Sequence, residues 1–248
     1  MSTPADQSTS EEIRILGKRV RLLQPLRGFR TSLDSVMLAA ACRAEKGQSL
    51  LDLGCGVGGA GLCVLTRIPD TKLTGIDIQS DHIALASQNA ALNGMDNRAS
   101  FIAARVPDYK AQSLFDHVIC NPPYLEAGAH APSPHAAKAT AHGHSDDTEL
   151  KDWIDCAFYN LKSKGSLTMI HRADHTDTII RAMGKRFGAT EIIPLWPKSG
   201  IPAKRVIIRT LKDRRSPVTL HPGITLHRDN GAYTAEAEEI LSKAKAII

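Results

Sequence analysis

Short apolar runs alternate with longer amphipathic segments through most of this chain, beginning at residue 49. Runs such as SLLDLG, KLTGIDI and FDHVICN have the length and β-branched content of strands, whereas SDHIALASQNAALNG and TELKDWIDCAFYNLKSKG place apolar residues at helical spacing. Because parallel strands need crossover connections, this alternation predicts a mostly parallel sheet joined by helices. We expect one α/β domain, in which Trp153 and Phe158 pack a helix against the sheet.

The composition fits a single domain and argues against several other classes of protein. Of the 248 residues, 42% are hydrophobic, which is ample for a core. No stretch approaches the roughly 18 apolar residues of a membrane span, and the first residues lack a secretory signal, so we expect a cytoplasmic protein without a membrane partner. Residues 1–12 predict a disordered tail, and residues 13–248 a single domain with its core over 49–248.

The cysteines and histidines do not indicate a metal site. Five cysteines are an odd number without a C-x-x-C pair, which favours reduced, structural thiols. Four histidines fall in the segment 125–147, but their spacing and the few acids nearby are not those of a zinc site. A patternless segment of that length is typically functional or disordered.

Basic residues are concentrated late in the chain. Between Arg181 and Arg215 there are ten lysines and arginines against two acidic residues, within a net charge of +5. Such a cluster fits a polyanionic partner, although a solvated surface explains it equally. The stretch WPKSGIPAKR predicts a basic hairpin in which Lys198, Lys204 and Arg205 either contact phosphate or are merely solvated.

A glycine-rich turn follows the first strand of the predicted sheet. In LLDLGCGVGGAGL, the glycines after Asp52 let a ligand approach the backbone and the amides of the next helix. The same glycines satisfy the dinucleotide fingerprint, which leaves a nicotinamide-dependent oxidoreductase open. Asp77 ends the next strand, where an acid can accept both hydroxyls of a ribose or, alternatively, cap the following helix.

Asn121-Pro122-Pro123-Tyr124 ends the fourth strand, at the edge where open α/β sheets bind ligands. A planar amine that attacks a methyl group needs acceptors for its hydrogens and a surface that holds its ring. The side-chain oxygen of Asn121 and the carbonyl oxygen of Pro122 can be the acceptors, and Tyr124 can stack on a base. The prolines stiffen this arrangement, although they can also serve only to stop the strand.

In this order, D-x-G-x-G-x-G, Asp77 and N-P-P-Y resemble the class I S-adenosylmethionine-dependent methyltransferases that modify amino nitrogens. More narrowly, LQPLRGFRTSLDSVMLAA is similar to the N-terminal segment of the bacterial adenine-N6 methyltransferases acting on position 37 of a valine tRNA. The resemblance implies a Rossmann-like class I fold, with a seven-stranded mostly parallel sheet and helices on both faces. It also implies S-adenosylmethionine as cofactor, S-adenosylhomocysteine as product, RNA, in particular tRNA, as partner, and closure of residues 13–48 over the cofactor.

The resemblance assigns roles to individual residues. The catalytic residues would be Asn121, Pro122, Pro123 and Tyr124. The cofactor would contact Arg30, Thr31, Ser32, Asp34, Asp52, Gly54, Cys55, Gly56, Gly58, Asp77, Ile78 and Asn121. RNA would contact Lys138, Lys198, Lys204 and Arg205.

One residue departs from the family pattern. Arg105 stands where an acid usually accepts from the adenine amine of the cofactor, so Asp108 or a backbone group would have to replace that acid.

Two alternatives share the motif or the fold: a protein glutamine N5-methyltransferase and a non-catalytic RNA-binding relative. The glutamine enzymes usually carry a substantial N-terminal helical domain, and only 51 residues precede Asp52 here.

Overall fold

The computed structural model describes residues 10–26, 31–124 and 148–247. Arg30 and Lys138, which the resemblance places at the cofactor and at RNA, lie outside the described residues, as does the segment 125–147. The strands are β1 (Ser10–Ile15), β2 (Val20–Pro25), β3 (Ser49–Leu53), β4 (Lys72–Asp77), β5 (Ala99–Ala103), β6 (Phe115–Cys120), β7 (Leu161–Arg172), β8 (Phe187–Trp196), β9 (Arg205–Lys212), β10 (Thr219–Leu220) and β11 (Ile224–Thr225). The α-helices are α1 (Leu33–Ala41), α2 (Gly59–Arg67), α3 (Ser80–Leu92), α4 (Leu150–Asn160), α5 (Thr176–Met183) and α6 (Ala235–Lys243).

The main sheet confirms the predicted fold class but has more strands than predicted. Its order is β10-β8-β9-β7-β6-β3-β4-β5, with β11 also paired to β8, which makes nine strands among the described residues instead of seven. Of the strands that the structure describes in this sheet, only β9 runs antiparallel to its neighbours. The additional strands, β10 and β11, have two residues each and pair with β8, so they are too short to show a pattern in the sequence.

Both faces of the sheet are buried, which explains the continuous apolar runs of the strands. Adjacent residues such as Val118 and Ile119 belong to opposite cores, because side chains alternate along a strand. One core contains residues of α1, α2 and α6, and the other contains residues of α4 and α5. Helices therefore cover both faces, as predicted. No helix among the described residues is long and apolar enough to cross a membrane.

The segment before the sheet forms the β1–β2 hairpin and α1. Because β1 begins at Ser10, the last three residues of the expected disordered tail are in a strand. Cross-strand polar contacts stabilise them: Gln24 donates to Glu11 at 2.9 Å, and Arg21 donates to Glu12 at 2.8 Å. Residues 10–12 are polar and show no alternation of apolar side chains, so the sequence alone does not predict this strand.

Candidate active site

A cleft lies at the carboxyl edge of the sheet. The cleft is lined by Gly54, Gly56, Asp77, Ile78, Gln79, His82, Arg105, Val106, Asn121, Pro123 and Trp153. It therefore brings together the glycine turn, the strand-end acid and the Asn-Pro-Pro-Tyr motif, three features that the sequence analysis singled out.

The glycine turn exposes its backbone to the cleft. Gly54 and Gly56 adopt φ angles of +63° and +53°, a region that side chains disfavour. A Cβ at Gly54 would lie 2.4 Å from the Trp153 ring, whereas a Cβ at Gly56 would meet nothing within 4 Å. The turn is fixed from behind, since the amide of Cys55 donates to the carbonyl of Ile76 at 2.8 Å.

Asp77 faces the cleft and supports the turn at the same time. Its Oδ2 accepts from the amide of Gly56 at 2.9 Å, and its Oδ1 accepts from the amide of Gln79 at 2.9 Å. The second contact forms a turn before α3, whose N-cap residue is Gln79 and whose first amides receive no side-chain cap, so Asp77 does not cap this helix. Each oxygen keeps a further lone pair, and two acceptors side by side match the two hydroxyls of a ribose.

Asp52 lies behind the turn and does not line the cleft. It is buried, and its Oδ2 accepts from the amide of Gly61 at 3.1 Å, in the first turn of α2. Burial raises the pKa of Asp52 to about 7, with a smaller contribution from the charge of Asp77. In the structure this carboxyl supports the start of α2.

Several cleft residues were not predicted as site residues. His82, on α3, is buried, and its Nδ1 has no hydrogen-bond partner among the described residues and lies 3.9 Å from Oδ1 of Asp77. Trp153 was expected only to pack α4 on the sheet, yet its ring also forms a wall of the cleft. Nothing in the local sequence distinguishes either residue from an ordinary helix residue, because only the fold brings them to the strand ends.

Arg105 lines the cleft where the family pattern leads one to expect an acid. Its guanidinium lies 3.3 Å from the carboxylate of Asp108, and both side chains are substantially exposed. Asp108 itself is not among the residues that line the cleft. The structure therefore does not place Asp108 as a substitute for the missing acid.

The other predicted residues of the N-terminal segment support the cleft from outside. The Ser32 hydroxyl caps α1 by accepting from the amide of Asp34 at 3.3 Å. The amide of Thr31 donates to Gln24 at 3.2 Å, and its side chain packs so closely on Gly59 that a Cβ there would lie 2.8 Å away. Gly58 packs against Phe101. Thr31, Ser32 and Gly58 do not line the cleft, but Thr31 packs on the start of α2, directly after the glycine turn.

Two residues of the motif, Asn121 and Tyr124, meet Asp34 and Arg205 and form the Tyr124 cluster with them. The Tyr124 hydroxyl lies 2.9 Å from Oδ2 of Asp34 and 3.1 Å from Oδ1 of Asn121. Arg205 donates from Nε to Oδ2 of Asp34 at 3.1 Å, and its Cζ lies 4.5 Å from the centre of the Tyr124 ring. Burial and the nearby Asp34 carboxylate raise the pKa of Tyr124 well above its usual value.

Most of the late basic cluster is not a free positive surface. Six of its ten members have partners within the described chain: Arg181 with Asp177, Arg186 with Asp155, Arg205 with Asp34, Arg209 with Glu191, Lys198 with one backbone carbonyl and Lys212 with two. Lys185, Arg214 and Arg215 lie near the start of β8, at the edge opposite the cleft. Lys198 and Lys204, in the β8–β9 hairpin, lie at the cleft edge, and Lys198 donates to the carbonyl of Asp229 at 3.1 Å.

Comparisons with known proteins agree with this arrangement. A tRNA1(Val) (adenine(37)-N6)-methyltransferase of Vibrio parahaemolyticus is 25% identical over 205 residues, covering 82% of this chain and 84% of that protein. The protein of the same name from Shewanella baltica strain OS155 is 26% identical and covers 86% of this chain and 91% of its own. The crystal structure of a predicted O-methyltransferase from Agrobacterium tumefaciens superposes with a TM-score of 0.71 at 25% identity, over 87% of this chain and 98% of that chain.

The family model of the methyltransferase small domain matches residues 31–195. That range contains the glycine turn, Asp77 and the Asn-Pro-Pro-Tyr motif, so a methyltransferase accounts for all three together. A nicotinamide-dependent oxidoreductase would account for the glycine turn alone, so the family match favours the methyltransferase over this alternative. The chain belongs to the methyltransferase small domain family.

Proposed function

We propose that this methyltransferase transfers a methyl group from S-adenosylmethionine to N6 of an adenine in tRNA. The observation that carries the proposal is that Asn121 and Pro123 border the same cleft as Gly56 and Asp77. The residues suited to an amino nitrogen therefore adjoin those suited to the cofactor. The relatives from Vibrio parahaemolyticus and Shewanella baltica are named as methyltransferases of adenine N6 in a tRNA, which supports this substrate.

The cleft suits S-adenosylmethionine in three respects. The backbone at Gly56 borders open space, Asp77 keeps two acceptor positions for ribose hydroxyls, and the buried Nδ1 of His82 lacks a partner among the described residues. Ile78 and Val106 add apolar walls against which a purine ring can pack. When bound, the cofactor supplies an electrophilic methyl group on a sulfonium.

Asn121 and Pro122 activate the substrate amine with their oxygen atoms. The Asn121 side chain and the Pro122 carbonyl accept the two amine hydrogens, which favours a pyramidal nitrogen with an available lone pair. No strong general base is needed for this step. Loss of one such contact typically lowers the rate about 100-fold to 1000-fold.

A second cavity gives the target base a place beside the cleft. It is lined by Pro122, Pro123, Thr148, Leu150, Trp153, His171 and His175. Pro123 and Trp153 border both cavities, so a ring in the second cavity adjoins the first. Burial lowers the pKa of His171 to about 4, so this imidazole is neutral and can bond a neutral base. A base in a stem would first be turned out, at a cost of a few kcal/mol.

Incubation with tritiated S-adenosylmethionine and total RNA tests the proposal. The wild type should label a tRNA-sized band that yields N6-methyladenosine on digestion, and Asn121→Ala should reduce the labelling at least 100-fold. Asn97→Ala is the matched control, because that asparagine is exposed and lies outside the cleft. An unlabelled RNA fraction would refute the tRNA substrate, and label in a protein fraction instead would favour the glutamine alternative.

A further inference from the structure

The Tyr124 cluster contains one hydroxyl hydrogen and two acceptors for it. Oδ2 of Asp34 lies 2.9 Å from the Tyr124 hydroxyl oxygen, and Oδ1 of Asn121 lies 3.1 Å from it. A tyrosine hydroxyl has a single hydrogen, so it can donate to only one of them at a time. The choice matters because Asn121 is the residue whose oxygen the proposed reaction needs.

Asp34 is the stronger acceptor of the two. It is a carboxylate, its contact with the hydroxyl is shorter, and hydrogen bonds to charged acceptors are about twice as strong as neutral ones. It is also buried and held by Nε of Arg205 at 3.1 Å, so it cannot easily turn away. The pKa of Tyr124 is raised by burial and by Asp34, so the hydroxyl keeps its hydrogen at neutral pH.

A hydroxyl that donates to Asp34 changes what Asn121 can do. Its oxygen then has a free lone pair toward Asn121 and no hydrogen to offer. A half-turn of the Asn121 amide about its last bond places Nδ2, a donor, against that oxygen. The same half-turn directs Oδ1 away from Tyr124, on a residue that borders the cleft.

We infer that Asp34 is a positioning residue, which takes the Tyr124 hydrogen and so frees the Asn121 side-chain oxygen for the substrate amine. Arg205 serves this arrangement by holding Asp34 and by lying over the Tyr124 ring. The resemblance assigned Asp34 to the cofactor and Arg205 to RNA, whereas here both act through Tyr124. The inference rests on the proposed function, because it concerns the acceptor of the transferred methyl group.

A suppressor experiment tests the inference. In Asp34→Ala the Tyr124 hydroxyl keeps, among the described residues, only Asn121 as an acceptor and occupies its oxygen, so kcat for tRNA methylation should fall about 100-fold. Adding Tyr124→Phe removes the competing hydrogen, and the double variant should recover to within a few-fold of Tyr124→Phe alone. Affinity for S-adenosylhomocysteine, measured by calorimetry, should stay unchanged in every variant, since Asp34 does not line the cleft.

Asp177→Ala is the matched control, because Asp177 also pairs with an arginine near a helix start but is exposed and outside the site. Thermal unfolding of each variant verifies that it is folded. A double variant as slow as Asp34→Ala overturns the inference, as does a wild-type kcat in Asp34→Ala. So does weakened S-adenosylhomocysteine binding with normal kcat, which would return Asp34 to a cofactor role.

A measurement without turnover keeps this result separate from the proposed function. The side-chain NH₂ of Asn121, identified in a ¹⁵N spectrum by its absence in Asn121→Ala, should shift in Asp34→Ala, because the hydroxyl then donates to Oδ1 of Asn121 and the NH₂ group turns away from it. An unshifted signal overturns the inference even if RNA is methylated. A shifted signal in a protein that labels no RNA supports the hydrogen-bond arrangement while the proposed substrate fails.

Discussion

Two carboxyl groups at neighbouring strand ends have opposite surroundings. Asp77 lies at the cleft and accepts hydrogen bonds from two backbone amides. Asp52 is buried behind the glycine turn and accepts one. Burial raises the pKa of Asp52 from 3.8 to about 7. Because the folded-state pKa lies above the unfolded one, the stability contributed by protonated Asp52 is present below pH 3.8 and is lost as the pH rises through about 7.

Asp52→Asn should therefore stabilise the protein at alkaline pH more than at acidic pH. The amide stays neutral and keeps an acceptor for the Gly61 amide, so it avoids the cost of burying a charge. We expect the difference in free energy of unfolding between variant and wild type to grow by roughly a few kcal/mol from pH 4 to pH 8. Urea unfolding at both pH values measures it, with the exposed Asp96→Asn as control. Equal differences at the two pH values would contradict the prediction.

His82→Ala should weaken cofactor binding without affecting the fold of the sheet. Its side chain lines the cleft beside Asp77, its Nδ1 lacks a partner among the described residues, and one hydrogen bond contributes about 0.5–1.5 kcal/mol, or up to tenfold in affinity. Calorimetric titration with S-adenosylhomocysteine measures the change. His221→Ala is the control, because His221 bonds Glu191 away from the cleft. Identical affinities for the two variants would show that His82 does not contribute to cofactor binding.

Contiguous motifs made part of the site predictable. Gly54, Gly56, Asp77 and Asn121 each follow a recognisable strand, and parallel strands bring their ends to one edge. The contact of Asp34 with Arg205 joins residues 171 positions apart, and no spacing rule connects them. His82 and Trp153 were missed for the same reason, since their helices reach the cleft only through tertiary packing.

At the scale of elements, α3 holds the N-terminal hairpin with two asparagines one helical turn apart. Asn89 accepts from the amide of Leu23 at 2.7 Å and donates to its carbonyl at 2.9 Å, and Asn93 bonds both backbone groups of Arg21. Four residues of helix rise about 6 Å and two residues of strand about 6.6 Å, so the spacings match. The side chains thus satisfy backbone groups of β2 that face α3.

Asn89→Ala should release this contact. Asn89 is fully buried and also donates to the carbonyl of Val57 in the glycine turn, so the variant leaves three backbone groups without their partners. We expect a loss of about 2–4 kcal/mol in free energy of unfolding, since each unsatisfied buried group costs roughly 1–3 kcal/mol and some regain water. Urea unfolding measures it against Asn97→Ala. A loss below about 0.5 kcal/mol, as at ordinary surface positions, would contradict it.

Element types were more predictable than their number. Strands such as β6 are buried on both faces, so their apolar runs stand out. By contrast, β10 and β11 pair with β8 through backbone atoms over two residues each, and β1 depends on polar cross-strand pairs. Backbone pairing of this kind leaves no side-chain pattern to read.

At the scale of the whole molecule, the basic residues late in the chain are divided between the two edges of the sheet. Lys198 and Lys204 lie at the cleft edge, whereas Arg214 and Arg215 lie near the start of β8 at the other. If tRNA lies across the cleft, Lys198→Ala with Lys204→Ala should weaken binding and lower the salt slope of log K by about 1 per lost phosphate contact. Arg214→Ala with Arg215→Ala should leave both unchanged. Filter binding at several salt concentrations compares the pairs, and equal losses would place the RNA elsewhere.

The direction of β9 has a consequence for how this enzyme can diversify. Because β9 is antiparallel to β8, residues 197–204 join these two strands at the cleft edge. Beyond this hairpin, β9 is hydrogen-bonded to β8 on one side and to β7 on the other. The hairpin can be lengthened or exchanged while the ladders on either side remain in register. The hairpin is therefore suited to laboratory evolution, in which its sequence would be varied and screened for new substrates while the catalytic residues stay the same.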